Sequence, residues 1–123
     1  MSAPLRATDL RFVNRIAAKR FAGGEPGAVD DAVIEAALAA SADGTPFVRA
    51  ATLAAVLLQR QAFASAPLPT ALLIVHCALT LEGFVLVAPQ GVTAGMIRAL
   101  ADDGNAATMA RWLEDRAVPS ASG

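Results

Sequence analysis

The sequence predicts a small all-α protein: a single-domain bundle of about six helices with one central buried helix and at most a short extended segment. The length of 123 residues is close to the commonest size of one domain. Apolar residues recur at helical spacing between clear breaks. The segment from Pro69 to Leu81 is apolar on nearly every side, which is typical of a helix at the centre of a bundle. Residues 1–123 are therefore expected to form one domain, with flexible ends at 1–7 and 117–123.

Capping residues and helix breakers set the expected helix boundaries. Thr45-Pro46 marks a helix start, because threonine caps well and proline suits the first helical position. Gly23-Gly24 and Asp102-Asp103-Gly104 mark helix ends, and Glu25-Pro26-Gly27 predicts a turn. These signals predict helices near residues 8–22, 30–42, 45–61, 69–81, 93–101 and 106–116, with an extended run at 84–87. The apolar face of the first helix is expected to carry Leu10, Val13, Ile16 and Ala17.

Composition excludes several classes of protein. Hydrophobic residues make up 55% of the chain and charged residues 17%, which argues against disorder. A net charge of −1 and a pI near 5.7 argue against a nucleic-acid partner, since such proteins carry basic surfaces. One cysteine and one histidine exclude an internal disulfide and a Cys/His metal cluster. With no apolar signal core near Met1, a cytoplasmic location is expected.

One segment is long and apolar enough to raise the question of a membrane span. Leu68 to Ala88 approaches the length that a spanning helix needs. However, it contains His76 and Glu82-Gly83, and Pro67 and Pro89 flank it. A buried helix followed by a short extended segment is therefore the preferred interpretation, and no membrane association is expected.

Several segments, taken in chain order, resemble the Fic/Doc (death-on-curing) family. The pattern from Gly23 to Leu38 resembles the early helices of that family. The segment from Gln61 to Ala71 falls where the family carries His-x-Phe-x-Asp/Glu-Gly-Asn-Lys/Gly-Arg-Thr-Ala. The long apolar helix, its end at Gly83 and the later Trp112-Leu113 match the family's continuation. The resemblance covers about residues 8–116 and lies in order and spacing.

The resemblance implies a fold whose catalytic chemistry has been lost. Active members transfer AMP or phosphate to protein hydroxyls. The family histidine acts as general base and the family acid holds magnesium; Gln61 and Ser65 stand at those positions here. In the family, Gly-Asn helps to build a nest of backbone N–H donors for phosphate oxygens, and the basic residues bind phosphate as well. The positions of the degenerate site are Gln61, Phe63, Ser65, Ala66, Pro67, Leu68 and Pro69. The resemblance thus implies no catalytic residue, no cofactor and no metal, and the short connection from Ala42 to Val48 puts a target-docking flap in doubt.

Other polar residues have structural explanations that are preferred over functional ones. His76 is expected to be a buried, hydrogen-bonded histidine rather than a relocated base. No basic neighbour that would lower the pKa of Cys77 is evident, and it is expected to be a small core residue. The glycines at 23, 24 and 27 lack the lysine of a phosphate loop and predict a turn. The remaining candidates are interpreted as helix caps (Asp30-Asp31, Asp102-Asp103), a solvated stripe (Arg11, Arg15, Arg20) and a core aromatic (Trp112).

The apolar composition itself points to a partner. The mean hydropathy is +0.50, which indicates more apolar surface than a domain of this size can bury. A protein partner or a homo-oligomer is therefore expected to cover the exposed part of that surface. The preferred function is a catalytically degenerate Fic/Doc-like protein that acts by protein binding, in a toxin–antitoxin-like or regulatory complex. Two alternatives stay open: an enzyme with altered chemistry in the same cleft, and a repurposed small-molecule pocket.

Overall fold

The computed structural model describes residues 5–24 and 27–120, without the side chain of Gln90. These residues form six helices and one two-stranded antiparallel sheet, which confirms the predicted all-α bundle with a short extended segment. In chain order the elements are α1 (Ala7–Phe21), α2 (Asp31–Ala40), α3 (Pro46–Gln59), α4 (Pro67–Leu81), β1 (Phe84–Leu86), α5 (Gln90–Asp103), α6 (Ala106–Arg116) and β2 (Ala117–Pro119).

Side-chain caps explain where several helices begin. The side chains of Asp30, Thr45 and Asn105 accept hydrogen bonds from the first-turn amides of α2, α3 and α6. Each cap satisfies an N–H that the helix itself leaves unpaired. The start of α1 is fixed differently, because the backbone N–H of Arg6 donates to the Asp9 carboxylate at 2.8 Å. The local chemistry of short polar residues therefore sets these boundaries, as the sequence indicated for Thr45-Pro46.

Two apolar clusters share the α3–α4 pair. Helix α3 packs against α2, α4, α5 and α6, while α4 packs against α1, α3, α5 and β1. One cluster joins α3 and α4 to α5 and α6 through residues such as Leu79, Ile97 and Leu113. The other joins them to α1 and α2 around Leu10 and Ile34. Helix α4 is central in its contacts, but the face that carries His76 and Cys77 remains only half-buried.

The face of α1 that packs on the core differs from the predicted one. Leu10 and Ala17 are buried as expected, but Asn14 and Ala18 complete the buried stripe. Ile16 is 44% exposed. Ile16 was predicted on the apolar face that packs on the core, and this was wrong. At about 100° per residue, Ile16 points about 200° around the helix axis from the buried Asn14, which directs it to solvent.

The C-terminal segment contributes to the fold. Residues 117–119, assigned from sequence to a flexible end, form β2 and pair with β1 because the extended run 84–87 offers a strand partner.

Helix α4 begins at Pro67, two residues earlier than expected, and α5 begins at Gln90 rather than Thr93. The turn predicted at Glu25-Pro26 and the ends at 1–4 and 121–123 lie outside the described residues. In the part of the chain that the structure describes, no helix is both long and apolar enough to cross a membrane.

Candidate functional site

The segment compared above with the Fic/Doc motif, Gln61 to Pro69, comprises the end of the connection between α3 and α4 and the first residues of α4. Its backbone is held to the segment before α2: the Asp30 N–H donates to the Ala62 carbonyl at 2.8 Å, and the Ala64 N–H donates to the Ala28 carbonyl at 3.0 Å. Phe63 is buried between these bonds, opposite Val29 in an isolated antiparallel bridge. Phe63, the aromatic residue of this segment, is therefore part of the core.

Two residues of this connection adopt left-handed backbone conformations. Gln61 has a φ of 52° and Ala66 a φ of 48°. For residues with a side chain this region costs about 1–2 kcal/mol relative to ordinary helical or extended backbone. Glycine alone adopts it without that cost. The position of Ala66, directly before α4, thus has the backbone geometry of a glycine although alanine occupies it.

The start of α4 does not fit a magnesium-bound nucleotide. Of the first three helical residues, Pro67 and Pro69 have no N–H, so Leu68 supplies the one amide donor among them. Gln61 is exposed and Ser65 half-buried, and neither carries a charge that would hold a divalent ion or accept a proton at neutral pH. A phosphate site at a helix N-terminus depends on several convergent N–H donors. These residues provide neither the donors nor the metal ligand.

A buried asparagine holds α1 against the start of α4. The Nδ2 of Asn14, which is 1% exposed, donates to the Ser65 carbonyl at 2.9 Å and to Thr70 Oγ1 at 3.0 Å. Thr70 Oγ1 in turn donates to the Ala66 carbonyl at 2.7 Å. Among the described residues, no donor reaches Asn14 Oδ1. Asn14 therefore acts as a clamp between the motif segment and α1.

An apolar groove runs between α1 and α4. It has a volume of about 840 Å³ and is open to solvent. Helix α1 lines it with Phe12, Val13 and Ile16, and α4 lines it with His76, Cys77, Thr80 and Leu81; Leu5, Arg6 and Asp9 close the end nearest the start of α1. Phe12 is 57% exposed and Leu81 is exposed as well. The groove therefore exposes apolar side chains around a concave site.

His76 and Cys77 lie in this groove rather than in the core. Both are half-buried, and no described residue forms a hydrogen bond with the His76 imidazole. The expectation of a buried, hydrogen-bonded histidine was therefore wrong, because this side of α4 faces the solvent-open groove rather than the core. Burial in apolar surroundings lowers the pKa of His76 below its usual range. Burial, assisted by the negative charge of Asp9, raises the pKa of the Cys77 thiol. Both groups are consequently neutral near pH 7, and the raised pKa of Cys77 disfavours the thiolate that a cysteine nucleophile requires.

The charges around the groove are unequal at its two ends. Arg6 and Asp9 form a loose ion pair of 3.9 Å at one end. Towards the other end, α1 carries Arg15, Lys19 and Arg20, which form no ion pair with any described residue. The Arg20 guanidinium stacks 5.8 Å from the Phe21 ring centre. Arg11 alone of the predicted stripe is paired, with Asp31 at 2.5 Å. The groove is therefore neutral inside and cationic beyond Ile16.

A second, smaller cavity of about 390 Å³ lies between α2, α3 and α4. The ion pair between Arg49 and Glu82 (2.6 Å) crosses its rim, and Leu5 and Leu81 separate it from the α1/α4 groove. None of the degenerate motif residues lines this cavity or the α1/α4 groove. The concave surfaces described here are thus distinct from the cleft in which the family's chemistry would occur.

The remaining sequence candidates occupy structural positions. Asp30 caps α2, and Asp103 accepts a hydrogen bond from the Asn105 N–H at 2.9 Å. Gly27 approaches the motif segment so closely that an added Cβ would lie 3.1 Å from the Ala64 Cβ. Trp112 packs at the edge of the core, half-buried, under the Arg116 guanidinium at 5.3 Å. The part of the chain that the structure describes contains no group of three potential metal ligands.

Comparison of the chain with protein-family models, curated proteins and solved structures finds no match in any of the three.

Proposed function

We propose that this protein is a catalytically degenerate, Fic/Doc-like domain that acts by protein binding, and that its α1/α4 groove receives an amphipathic helix of a partner. The observation that carries the proposal is the groove itself: Phe12, Ile16 and Leu81 are exposed along a concave apolar surface. Burying one such side chain contributes about 1.5–3 kcal/mol. Apolar surface of this kind is typical of protein interaction sites.

The geometry of the groove favours a helix as its occupant. On α1 the lining residues run from Asp9 to Ile16 and on α4 from His76 to Leu81, so the lined part of the groove is about two helical turns, or about 11 Å, long. A helix of about two to three turns with apolar positions three and four apart fits such a groove. The unpaired cations Arg15, Lys19 and Arg20 favour acidic residues at one end of that helix. The partner's chemistry is therefore an apolar stripe with acidic residues at one end.

The Fic/Doc resemblance is supported by the backbone at Ala66. The family carries glycine at this position, and the left-handed φ of 48° is the conformation that glycine adopts freely. The buried positions of Phe63, Thr70 and Ala71 agree with residues retained for folding. The replaced positions are the ones whose chemistry acts on a nucleotide. We propose on this basis that the fold has been kept while the transfer activity has been lost, within a toxin–antitoxin-like or regulatory complex in the cytoplasm.

Photo-cross-linking tests the proposed docking site. Benzoylphenylalanine in place of Phe12 is expected to capture one protein in native cells, whereas the same residue in place of the exposed Val48 on α3 serves as the matched control. The captured segment, made as a synthetic peptide, is then titrated into the purified protein. We expect a gain of helical circular dichroism and a loss of affinity of at least tenfold in Ile16→Glu, since tenfold corresponds to about 1.4 kcal/mol.

Two outcomes would contradict helix docking. Capture at position 12 no stronger than at position 48 would show that the groove has no protein occupant. A peptide that binds equally to wild type and Ile16→Glu would place its site elsewhere. Recovery of a small apolar molecule with the purified protein, displaced by Ile16→Glu, would instead favour a small-molecule pocket, for which about 840 Å³ is a suitable volume.

A further inference from the structure

The two-stranded sheet leaves one edge unpaired. Strand β1 pairs antiparallel with β2, with Phe84 opposite Pro119, Val85 opposite Val118 and Leu86 opposite Ala117. The ladder continues at both ends, where the Val87 N–H donates to the Arg116 carbonyl at 2.9 Å and the Ser120 N–H donates to the Gly83 carbonyl at 2.8 Å. Because hydrogen-bonded pairs alternate along an antiparallel ladder, Phe84 and Leu86 direct their backbone groups away from β2.

The free edge belongs to β1 and not to β2. Pro119 on β2 has no N–H, and the Ala117 N–H already donates to the Leu113 carbonyl at the end of α6. On β1, in contrast, the outward N–H and carbonyl groups of Phe84 and Leu86 have no backbone partner among the described residues. Proteins usually protect such an edge with charges or prolines. The run Phe84-Val85-Leu86-Val87 contains neither.

The outer face of the sheet is a strip of exposed valines. Phe84, Leu86 and Ala117 pack on the core, where the Phe84 ring meets the Phe47 ring edge-on at 5.0 Å. Val85 and Val118, side by side across the ladder, point the other way and are 47% and 43% exposed. The sheet therefore presents apolar side chains next to an open line of hydrogen-bonding groups.

We propose that β1 pairs with β1 of a second copy of this chain, which joins the two sheets into one of four strands. A two-fold axis through Val85 places Phe84 opposite Leu86 of the second copy and Val85 opposite Val85 of the second copy. The outward backbone groups of Phe84 and Leu86 are the ones this register uses, so each finds a partner. In this register the outward N–H groups of each copy donate to the outward carbonyl groups of the other copy.

The side chains favour the same register. It aligns Val118 and Val85 of one copy with Val85 and Val118 of the other, in one row across four strands. It also places Val87 opposite Gly83 of the second copy, and Gly83 has open space around it. No charged residue lies in 84–87 or 117–119, so no like charges meet across the axis. An isologous contact of this kind closes after two copies.

A cysteine placed on the two-fold axis tests the register. Directly opposed residues of a non-hydrogen-bonded pair have Cα atoms about 4.5 Å apart, a distance that a disulfide spans. In a Cys77→Ser background, Val85→Cys is expected to form a covalent dimer under copper–phenanthroline oxidation. Val118→Cys lies about three strand spacings, or about 14 Å, from its copy and is expected to cross-link no faster than Val48→Cys, the control for random collision.

Sedimentation tests the association itself. Because the contact is short, we expect wild type to dimerise with a dissociation constant in the range of about 10–100 µM. Val85→Lys and Val85→Glu are each expected to be monomeric, whereas an equimolar mixture of the two is expected to dimerise again, which also shows that both variants fold. Val48→Lys is the matched surface control.

The proposal is overturned if wild type stays monomeric at about 1 mM, or if Val85→Cys cross-links no faster than Val48→Cys. Ile16→Glu, which alters the groove, should leave the dimer unchanged, so failure of either proposal is distinguishable from failure of the other.

Discussion

The amide nitrogen of Asn14 on α1 lies 3.0 Å from the hydroxyl oxygen of Thr70 on α4. The same nitrogen reaches the Ser65 carbonyl at 2.9 Å, so one buried side chain links α1, the degenerate motif and the first turn of α4. Polar groups in an apolar interior are costly unless they are paired. The pair therefore ties α1 to the first turn of α4, one of the two helices that form the apolar groove.

Removing the Asn14 amide is expected to destabilise the protein. Asn14→Ala deletes two hydrogen bonds and leaves the Ser65 carbonyl without this donor, which should lower the free energy of unfolding by about 2 kcal/mol. Thr70→Val keeps the shape and deletes one hydroxyl, for an expected loss of about 1 kcal/mol. Urea denaturation measures both, and the double variant should show coupling because the two side chains touch.

Thr108→Ala is the matched control, since Thr108 is exposed on α6 and its change should stay within about 0.5 kcal/mol. Wild-type stability in Asn14→Ala would mean that the clamp contributes nothing.

Glycine in place of Ala66, directly before α4, is expected to stabilise the fold. Ala66 has a φ of 48°, and Ala66→Gly removes the cost of the left-handed backbone while adding flexibility to the unfolded chain. The difference should raise the free energy of unfolding by about 0.5–1 kcal/mol. Ala64→Gly, two residues earlier and without a positive φ, should lower it instead. Equal effects of the two glycines in thermal denaturation would contradict a strained backbone at residue 66.

The stability of the protein is expected to fall on both sides of neutral pH because of the two groove residues. The pKa of His76 is lowered on folding, so below its usual 6.5 the unfolded chain binds a proton that the folded chain resists. The pKa of Cys77 is raised, so above its usual 9.0 the unfolded thiol ionises while the folded thiol does not. Stability contributed by His76 is therefore present above pH 6.5 and lost as pH falls. That of Cys77 is present below pH 9.0 and lost as pH rises.

Thermal melts across this pH range check the two contributions separately. His76→Gln should flatten the acid side and leave the alkaline side as it was, and Cys77→Ala should do the reverse. Both effects are expected to be small because both side chains are partly open to solvent. An acid side that is unchanged in His76→Gln would rule out this histidine as its source.

Much of the fold was predictable because strong local signals marked it. Thr45-Pro46 predicted the start of α3, and the apolar run through Leu79 predicted a helix that contacts much of the bundle. The strand β2 was not predictable, because Ala117–Pro119 is short and its partner β1 is more than 30 residues earlier in the chain. Long-range pairing of this kind leaves little local pattern.

The groove was harder to predict than the helices that form it. Periodicity placed Ile16 on the apolar face of α1, but an apolar face at helical spacing can be either buried or left uncovered. Asn14 carried the useful signal: a polar residue four positions after Leu10 and three before Ala17 marks a special position on a buried stripe. The positive φ values at Gln61 and Ala66 had no signal in the local sequence, because neither residue type favours that conformation.

The final prediction separates a degenerate site from one with altered chemistry. Gln61→His alone is expected to restore neither nucleotide binding nor transfer. A base has no positioned substrate here, because Pro67 and Pro69 supply no N–H donors and no carboxylate stands at Ser65. Calorimetry with Mg-ATP should therefore detect no binding in wild type or in Gln61→His. The smallest change that tests full restoration combines Gln61→His with Ser65→Asp, Ala66→Gly, Pro67→Asn, Leu68→Lys and Pro69→Arg. If the cleft instead performs different chemistry, Gln61→Ala or Ser65→Ala should abolish the native phenotype with an unchanged melting temperature. We expect both alanine variants to retain the phenotype, and loss of it in a stably folded Gln61→Ala protein would favour an enzyme over a binding domain.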